Sequence, residues 1–325
     1  MRDLTGLPKA HLHVHLESTI RRATLAELAA SHGLPVPADT AGRRFAGFRE
    51  FGDHGTLVRA CLVTAADFRR VAVEFCADEA ANGVSYAEVT VTAAAHEARL
   101  GATGMPLAAV LDGLAEGLDR YGVATRVILD HSRRRDHDRL RRTLDLARRH
   151  PEVAAIGVAG DESYPLAPFA PLFAEAHDAG VRLVHHAGET AGADSVREAL
   201  TLGHADRIGH GITILADTDL VAEVRGRGVA LEVCPSSNVA LGVADTLADH
   251  PLPRLRAAGL TVTLNTDIPA TVGTTLAGEY VRVRDTFGAT DADLAGMARA
   301  AVDASYAPED RKALLRKGIV GWLAD

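Results

Sequence analysis

Long apolar runs are missing from this 325-residue chain: no stretch approaches the roughly 18 consecutive apolar residues of a membrane span. The opening Met1-Arg-Asp-Leu-Thr-Gly also lacks the apolar character of a secretory leader, so a cytoplasmic location is expected. Cysteine is scarce. Cys61, Cys76 and Cys234 are odd in number, scattered and without a C-x-x-C pair, which argues against a disulfide framework or a cysteine-type zinc site and leaves them as core thiols. Positive charge is in deficit, 35 Lys+Arg against 43 Asp+Glu for a net charge of −8, so neither nucleic acid nor an anionic membrane is expected as a partner. No glycine-rich dinucleotide fingerprint, P-loop or HExxH motif is present. With 47% hydrophobic and 24% charged residues, the composition is that of a folded globular protein rather than a disordered one.

Strand-like runs recur with helical patterns between them: His11–His15, Ser85–Val91, Ala124–Leu129, Ala154–Ala159, Val181–His186, Asp206–His210, Val229–Val233 and Thr261–Asn265. Thr64-Ala-Ala-Asp67 opens one helix, with Phe68, Val71, Phe75 and Cys76 inward and Gly83 as its stop. Pro106 opens another, with Leu107, Val110, Leu111, Leu114 and Leu118 at helical spacing before Gly122. Strand and helix alternating eight times predict an α/β fold, a (β/α)8 TIM barrel, in a single domain spanning 1–325. An open doubly wound sheet is the rival, weakened by the missing nucleotide fingerprint. The chain exceeds the roughly 250 residues typical of the barrel, and the long stretch from His15 to Ser85 predicts extra helices inserted after strand 1. Phe45, Phe48 and Phe51 within it either pack under the barrel or line a lid over the base, and three phenylalanines in seven residues of an aromatic-poor chain favour the lid.

Histidine is what the chain has in plenty, with 15 residues in dense clusters. In His11-Leu-His13-Val-His15, strand alternation places all three imidazoles on one face, where two neutral imidazoles two residues apart can reach one metal ion. A buried, hydrogen-bonded polar face is the competing explanation. Val-His185-His186-Ala-Gly188-Glu189 ends an apolar strand in histidine, then a small-residue turn and a carboxylate, at the strand end where a barrel keeps its functional groups. Arg207-Ile-Gly-His210-Gly repeats the design, and Leu264-Asn-Thr-Asp267 ends the eighth strand in aspartate. Histidines and an aspartate around zinc make water acidic enough to attack near neutral pH, and a neighbouring glutamate moves protons. The composition is that of a hydrolytic site.

These motifs, with Leu7-Pro-Lys-Ala-His-Leu-His13-Val-His15-Leu, Tyr86-Ala-Glu88, Ala159-Gly160-Asp161-Glu162 and Glu232-Val-Cys-Pro-Ser-Ser-Asn238, resemble the adenosine deaminase family of amidohydrolase barrels, in family order from about residue 7 to residue 270. The resemblance implies one zinc ion (Zn2+) held by His13, His15, His186 and Asp267. It implies Glu189 as the group that protonates a ring nitrogen, His210 as the group that orients the attacking water, Asp267 as a proton acceptor and Gly160 as a backbone donor to the ring. His11 and His185 lie outside the pattern and are expected to be structural or supporting. The H-x-E…P-C-x-x-C pattern of cytidine-type deaminases is absent.

The departures fall on the substrate side. Ile268 stands where family members acting on adenosine carry a second aspartate toward the purine N7. Glu17 replaces the aspartate that reaches the ribose, Ser18 a glycine, and Thr90 an arginine. The expectation is retained deamination of a small adenine-type molecule, with specificity shifted from adenosine through Ile268, Glu17 and Ser18. Another hydrolase of the same superfamily and a non-catalytic zinc-binding paralogue remain as alternatives.

Overall fold

The eight strand-like runs become eight parallel strands in the computed structural model, which describes residues 2–324. They are β1 (Lys9–His15), β2 (Val84–Val91), β3 (Ala124–Ser132), β4 (Val153–Ala159), β5 (Arg182–Ala187), β6 (Arg207–His210), β7 (Ala230–Val233) and β8 (Val262–Leu264). Each pairs with the next in sequence to form one eight-stranded sheet. Its two ends meet at a parallel bridge between Val14 and Asp267. There His15 N–H donates to the Asp267 carbonyl and Asp267 N–H to the His13 carbonyl, both at 2.9 Å. The result is a nearly closed (β/α)8 TIM barrel. β3 runs further than its apolar stretch because Asp130, His131 and Ser132 continue to pair with Gly157, Val158 and Ala159.

One strand departs from simple alternation. Between His11 and Val14, β1 carries one residue more than β2 does between Ala87 and Val89, a β-bulge. A one-residue slip reverses the faces of everything beyond it. His11 therefore does not share a face with His13 and His15: its Nδ1 meets Glu79 at 2.9 Å and its Nε2 meets the Thr266 hydroxyl at 3.0 Å.

Three helices follow β1: α1 (Arg22–Ser31), α2 (Phe48–Ala60) and α3 (Ala65–Ala81). α3 has the expected capping box, with Thr64 and Asp67 satisfying each other's backbone donors, and buries Phe68, Val71, Phe75 and Cys76. Its neighbour Met105–Tyr121 presses Gly113 and Gly117 against it; a Cβ at Gly117 would lie 2.4 Å from Cys76 Sγ. That close approach rotates Leu118 outward, so Leu118 is 43% exposed and not part of the buried stripe.

The segment before α2 spans the mouth. Thr40 Oγ1 donates to the Thr271 carbonyl at 2.9 Å and Phe45 N–H to the Ala240 carbonyl at 2.8 Å. Phe45 and Phe48 each meet Phe51 edge-on, and Phe51 packs on Ala240, Ile268 and Val272, so the three phenylalanines sit on the lid side. At the other end Trp322 Nε1 donates to the Asp3 carbonyl at 3.0 Å, tying the last helix to the first residues. All three cysteines are buried free thiols. Among the described residues no helix is long and apolar enough to cross a membrane.

Candidate active site

The C-terminal ends of β1, β5, β6 and β8 bring His13, His186, His210 and Asp267 together, with one ligand-type atom from each within 4.8 Å of every other. His15 joins from the rim, its Nε2 3.1 Å from His186 Nε2 and 3.4 Å from Asp267 Oδ1. The local backbone is built for this convergence. Asp267 and His210 both have positive φ, +61° and +66°, a cost that non-glycine residues bear chiefly where side-chain aim matters. Gly209 lacks a side chain because the His13 ring occupies its place; a Cβ there would lie 2.7 Å from His13 Cε1.

Each imidazole is oriented from behind. His13 Nδ1 meets Glu232 Oε2 at 3.0 Å, His186 Nδ1 meets the Val158 carbonyl at 3.1 Å, and His15 Nδ1 faces Asp130 Oδ2 at 4.0 Å. Partners on Nδ1 leave Nε2 free for a metal, the arrangement found at histidine metal sites. His13 Nε2 is buried without a hydrogen-bond partner, and Asp267 Oδ1 lies 3.5 Å from it. Burial opposes charge on His13, but the Asp267 and Glu232 carboxylates outweigh it and push the imidazole up to about 10. The two carboxylates thus favour a positive charge at this place, and the His3Asp donors fit a divalent cation such as zinc.

Beside this cluster Glu189 lies with Oε1 3.6 Å from His210 Nε2. Burial, reinforced by the Asp267 and Glu162 charges, raises its carboxyl well above the ordinary range, a shift toward the protonated form. Burial and the facing His13 lower His210 to about 3. Asp267 Oδ2 accepts from the Ser237 hydroxyl at 2.6 Å. Gly160 follows β4 with φ +97°, beside Ser132. Ile268 is 2% exposed against Ala240, Val272 and the lid's Phe51. Glu17 turns to His96 Nε2 at 3.0 Å and Thr92 N–H at 3.1 Å, both on Oε1. Burial opposes charge on Glu17, but His96 and the backbone N–H donors together outweigh it and lower the carboxyl to about 2, so it stays ionised. Thr90 is buried where β2 pairs with His15.

The supporting residues were not legible as such. Arg133 opens a run of mixed charge that reads as solvated, yet it is 3% exposed and donates to the His186 carbonyl at 2.5 Å. Glu162 gathers the N–H groups of Gly188, Glu189 and Ala191 at 3.2, 2.9 and 3.1 Å. Asn238 and His250 stand behind Glu189 and His210. Deeper in the barrel Arg207 binds Glu88 and Glu232 and lies over the Tyr306 ring. His185 is buried, with Nε2 on the Gly203 carbonyl at 2.8 Å.

A parallel barrel with a His3Asp cluster and an adjoining carboxyl at its strand ends defines an amidohydrolase-type TIM barrel, a hydrolase scaffold. The chain belongs to the adenosine deaminase family, whose model matches residues 8–322. It is 36% identical over 297 residues to an aminodeoxyfutalosine deaminase of Acidothermus cellulolyticus, covering 86% of this chain and 82% of that one. An adenine deaminase structure from Arthrobacter aurescens superposes with a TM-score of 0.92 at 31% identity, covering 98% of this chain and 99% of that one. An amidohydrolase from Burkholderia ambifaria, solved with bound Zn, has a TM-score of 0.88 at 28% identity over 99% and 94% of the two chains.

Proposed function

We propose that this chain, as one catalytic domain over 1–325, is a zinc-dependent deaminase of an adenine-type (6-aminopurine-like) base, nucleoside or modified nucleoside. Water adds at the amino-bearing carbon, ammonia leaves, and the carbon becomes a carbonyl. The observation that carries the reading is the convergence of His13, His15, His186 and Asp267 next to the buried Glu189 carboxyl. His15 rather than His210 completes the ligand set, because its Nε2 approaches His186 and Asp267 while that of His210 is turned to Glu189. Zinc, when bound, supplies the Lewis acidity that activates water.

The remaining work falls to the side chains. Glu189 gives its proton to the ring nitrogen beside the attacked carbon, which draws electrons from that carbon. Asp267, steadied by Ser237, takes a proton from the water, and His210 orients it. The Gly160 N–H holds a second ring nitrogen. Ile268 offers a purine N7 no hydrogen bond, and Glu17 contributes a permanent negative charge at the rim. Together these favour a substrate other than adenosine.

The test is ammonia release by zinc-loaded protein on adenine, adenosine, 2′-deoxyadenosine, 5′-modified adenosines including aminodeoxyfutalosine, and 7-deaza analogues. Turnover of any of these supports the reading; a zinc-replete protein inactive on all of them overturns it.

A further inference from the structure

Behind His210 and Glu189 runs a chain of buried hydrogen bonds whose polarity is set by a backbone group. Leu252 N–H donates to His250 Nδ1 at 3.1 Å. A main-chain N–H can only donate, so His250 Nδ1 carries a lone pair and the proton of the neutral ring is on Nε2. His250 Nε2 lies 3.1 Å from Asn238 Oδ1 and donates to it. That fixes the amide, whose Nδ2 then faces Glu189 Oε1 at 3.1 Å and His210 Nδ1 at 3.2 Å, one hydrogen for each. His210 Nδ1 must accept, so its proton is on Nε2, the nitrogen 3.6 Å from Glu189 Oε1. All three side chains are at most 2% exposed, which keeps water from substituting for any link.

We propose that His250 and Asn238 are positioning residues that set the Nε2–H tautomer of His210 and hold Glu189 Oε1 as an acceptor, leaving Oε2 to carry the proton that Glu189 delivers. The inference rests on the deaminase reading for the meaning of those roles, but not for the tautomer itself. Asn238 is matched to this task because an amide presents one acceptor to His250 and two donors to the other side. An aspartate at the same place has no donor: it would draw the His210 proton to Nδ1 and repel Glu189.

The experiment is 15N NMR of histidine-labelled, zinc-loaded protein, parent against Asn238→Asp and Asn238→Ala, with kcat and KM measured on the best substrate. The parent should show His210 and His250 unprotonated at Nδ1 and protonated at Nε2, and Asn238→Asp should protonate His210 Nδ1. Both variants should lose roughly 10²-fold in kcat, the scale of a misplaced acid–base group, with KM within about threefold and zinc content unchanged. A parent His210 protonated at Nδ1, or a kcat in Asn238→Asp and Asn238→Ala within about threefold of the parent, overturns the proposal. Because the NMR signature needs no turnover, an inactive parent that shows the tautomers would sink the deaminase reading and leave the chain of bonds standing.

Discussion

The Glu162 carboxylate accepts the backbone N–H of Glu189 at 2.9 Å. With Gly188 and Ala191 donating to its other oxygen, one side chain after β4 fixes the turn after β5. The Gly188 carbonyl is held from the opposite side by Thr213, so the turn is bonded on both flanks. Replacing Glu162 by Ala should leave three N–H groups without their acceptor. We expect amide exchange at 188, 189 and 191 to rise about tenfold or more, the equivalent of one net hydrogen bond of ~1.4 kcal/mol. Unchanged protection at these amides would show that Glu162 does not hold the turn.

The buried Arg207 is the counter-charge for Glu88 and Glu232, all at most 2% exposed. Arg207→Met would strand two carboxylates in the barrel interior, where a broken ion pair costs about 3–5 kcal/mol. Glu232 also orients His13, so zinc affinity should weaken along with stability. Urea denaturation and a competitive zinc chelator read the two effects; full stability in the variant would contradict the assignment.

The eight strands could be read because parallel barrel strands, covered on both faces, are short apolar runs with punctuated ends. The ligand-type side chains were legible because they lie at those ends. Two kinds of feature were not. The bulge at 11–14 depends on register against β2, which no periodicity within β1 reveals, so alternation alone groups His11 with His13 and His15 while the folded strand turns it away. Supporting groups such as Arg133, Glu162 and His250 gain their roles from contacts many residues away, and nothing local marks a buried arginine or histidine as different from a solvated one.

Glu189 gives the reaction a signed pH dependence. Burial raises its carboxyl well above the ordinary range, and in the proposed reaction the protonated form is the one that acts. Activity should therefore fall as pH rises through the raised value, because the proton needed by the ring is then gone. Glu189→Gln should lose roughly 10²–10⁴-fold in kcat. A parent profile still rising through the alkaline range would assign the proton delivery elsewhere.

Removal of the metal should be visible without any substrate. Without an ion, His13 Nε2 is buried and unpartnered and Asp267 faces two imidazoles at 3.4–3.5 Å. A ligand that binds only the folded state stabilises it by mass action, about 4.1 kcal/mol at a thousandfold excess over Kd. A chelator should lower Tm and zinc restore it, while His13→Ala should be insensitive to both. A chelated parent that melts unchanged would mean that no resident ion sits there.

Ile268 is the residue on which specificity should turn. It follows Asp267 directly and packs with Ala240, Val272 and Phe51, so a ring bound beside the metal cluster meets an apolar wall there. A purine N7 against that wall loses its water partner and gains none, a cost of roughly 1–3 kcal/mol. The parent should therefore handle a 7-deaza analogue at least as well as its purine counterpart. Ile268→Asp should invert this, raising kcat/KM on adenosine and favouring it over 7-deazaadenosine by roughly 10- to 100-fold, the same 1–3 kcal/mol now gained. Stability should fall, because the new carboxyl is buried among apolar groups when no substrate is bound. Equal rates of parent and variant on adenosine would remove Ile268 as the discriminator and direct attention to Glu17, which follows the neighbouring β1 and is bonded to His96.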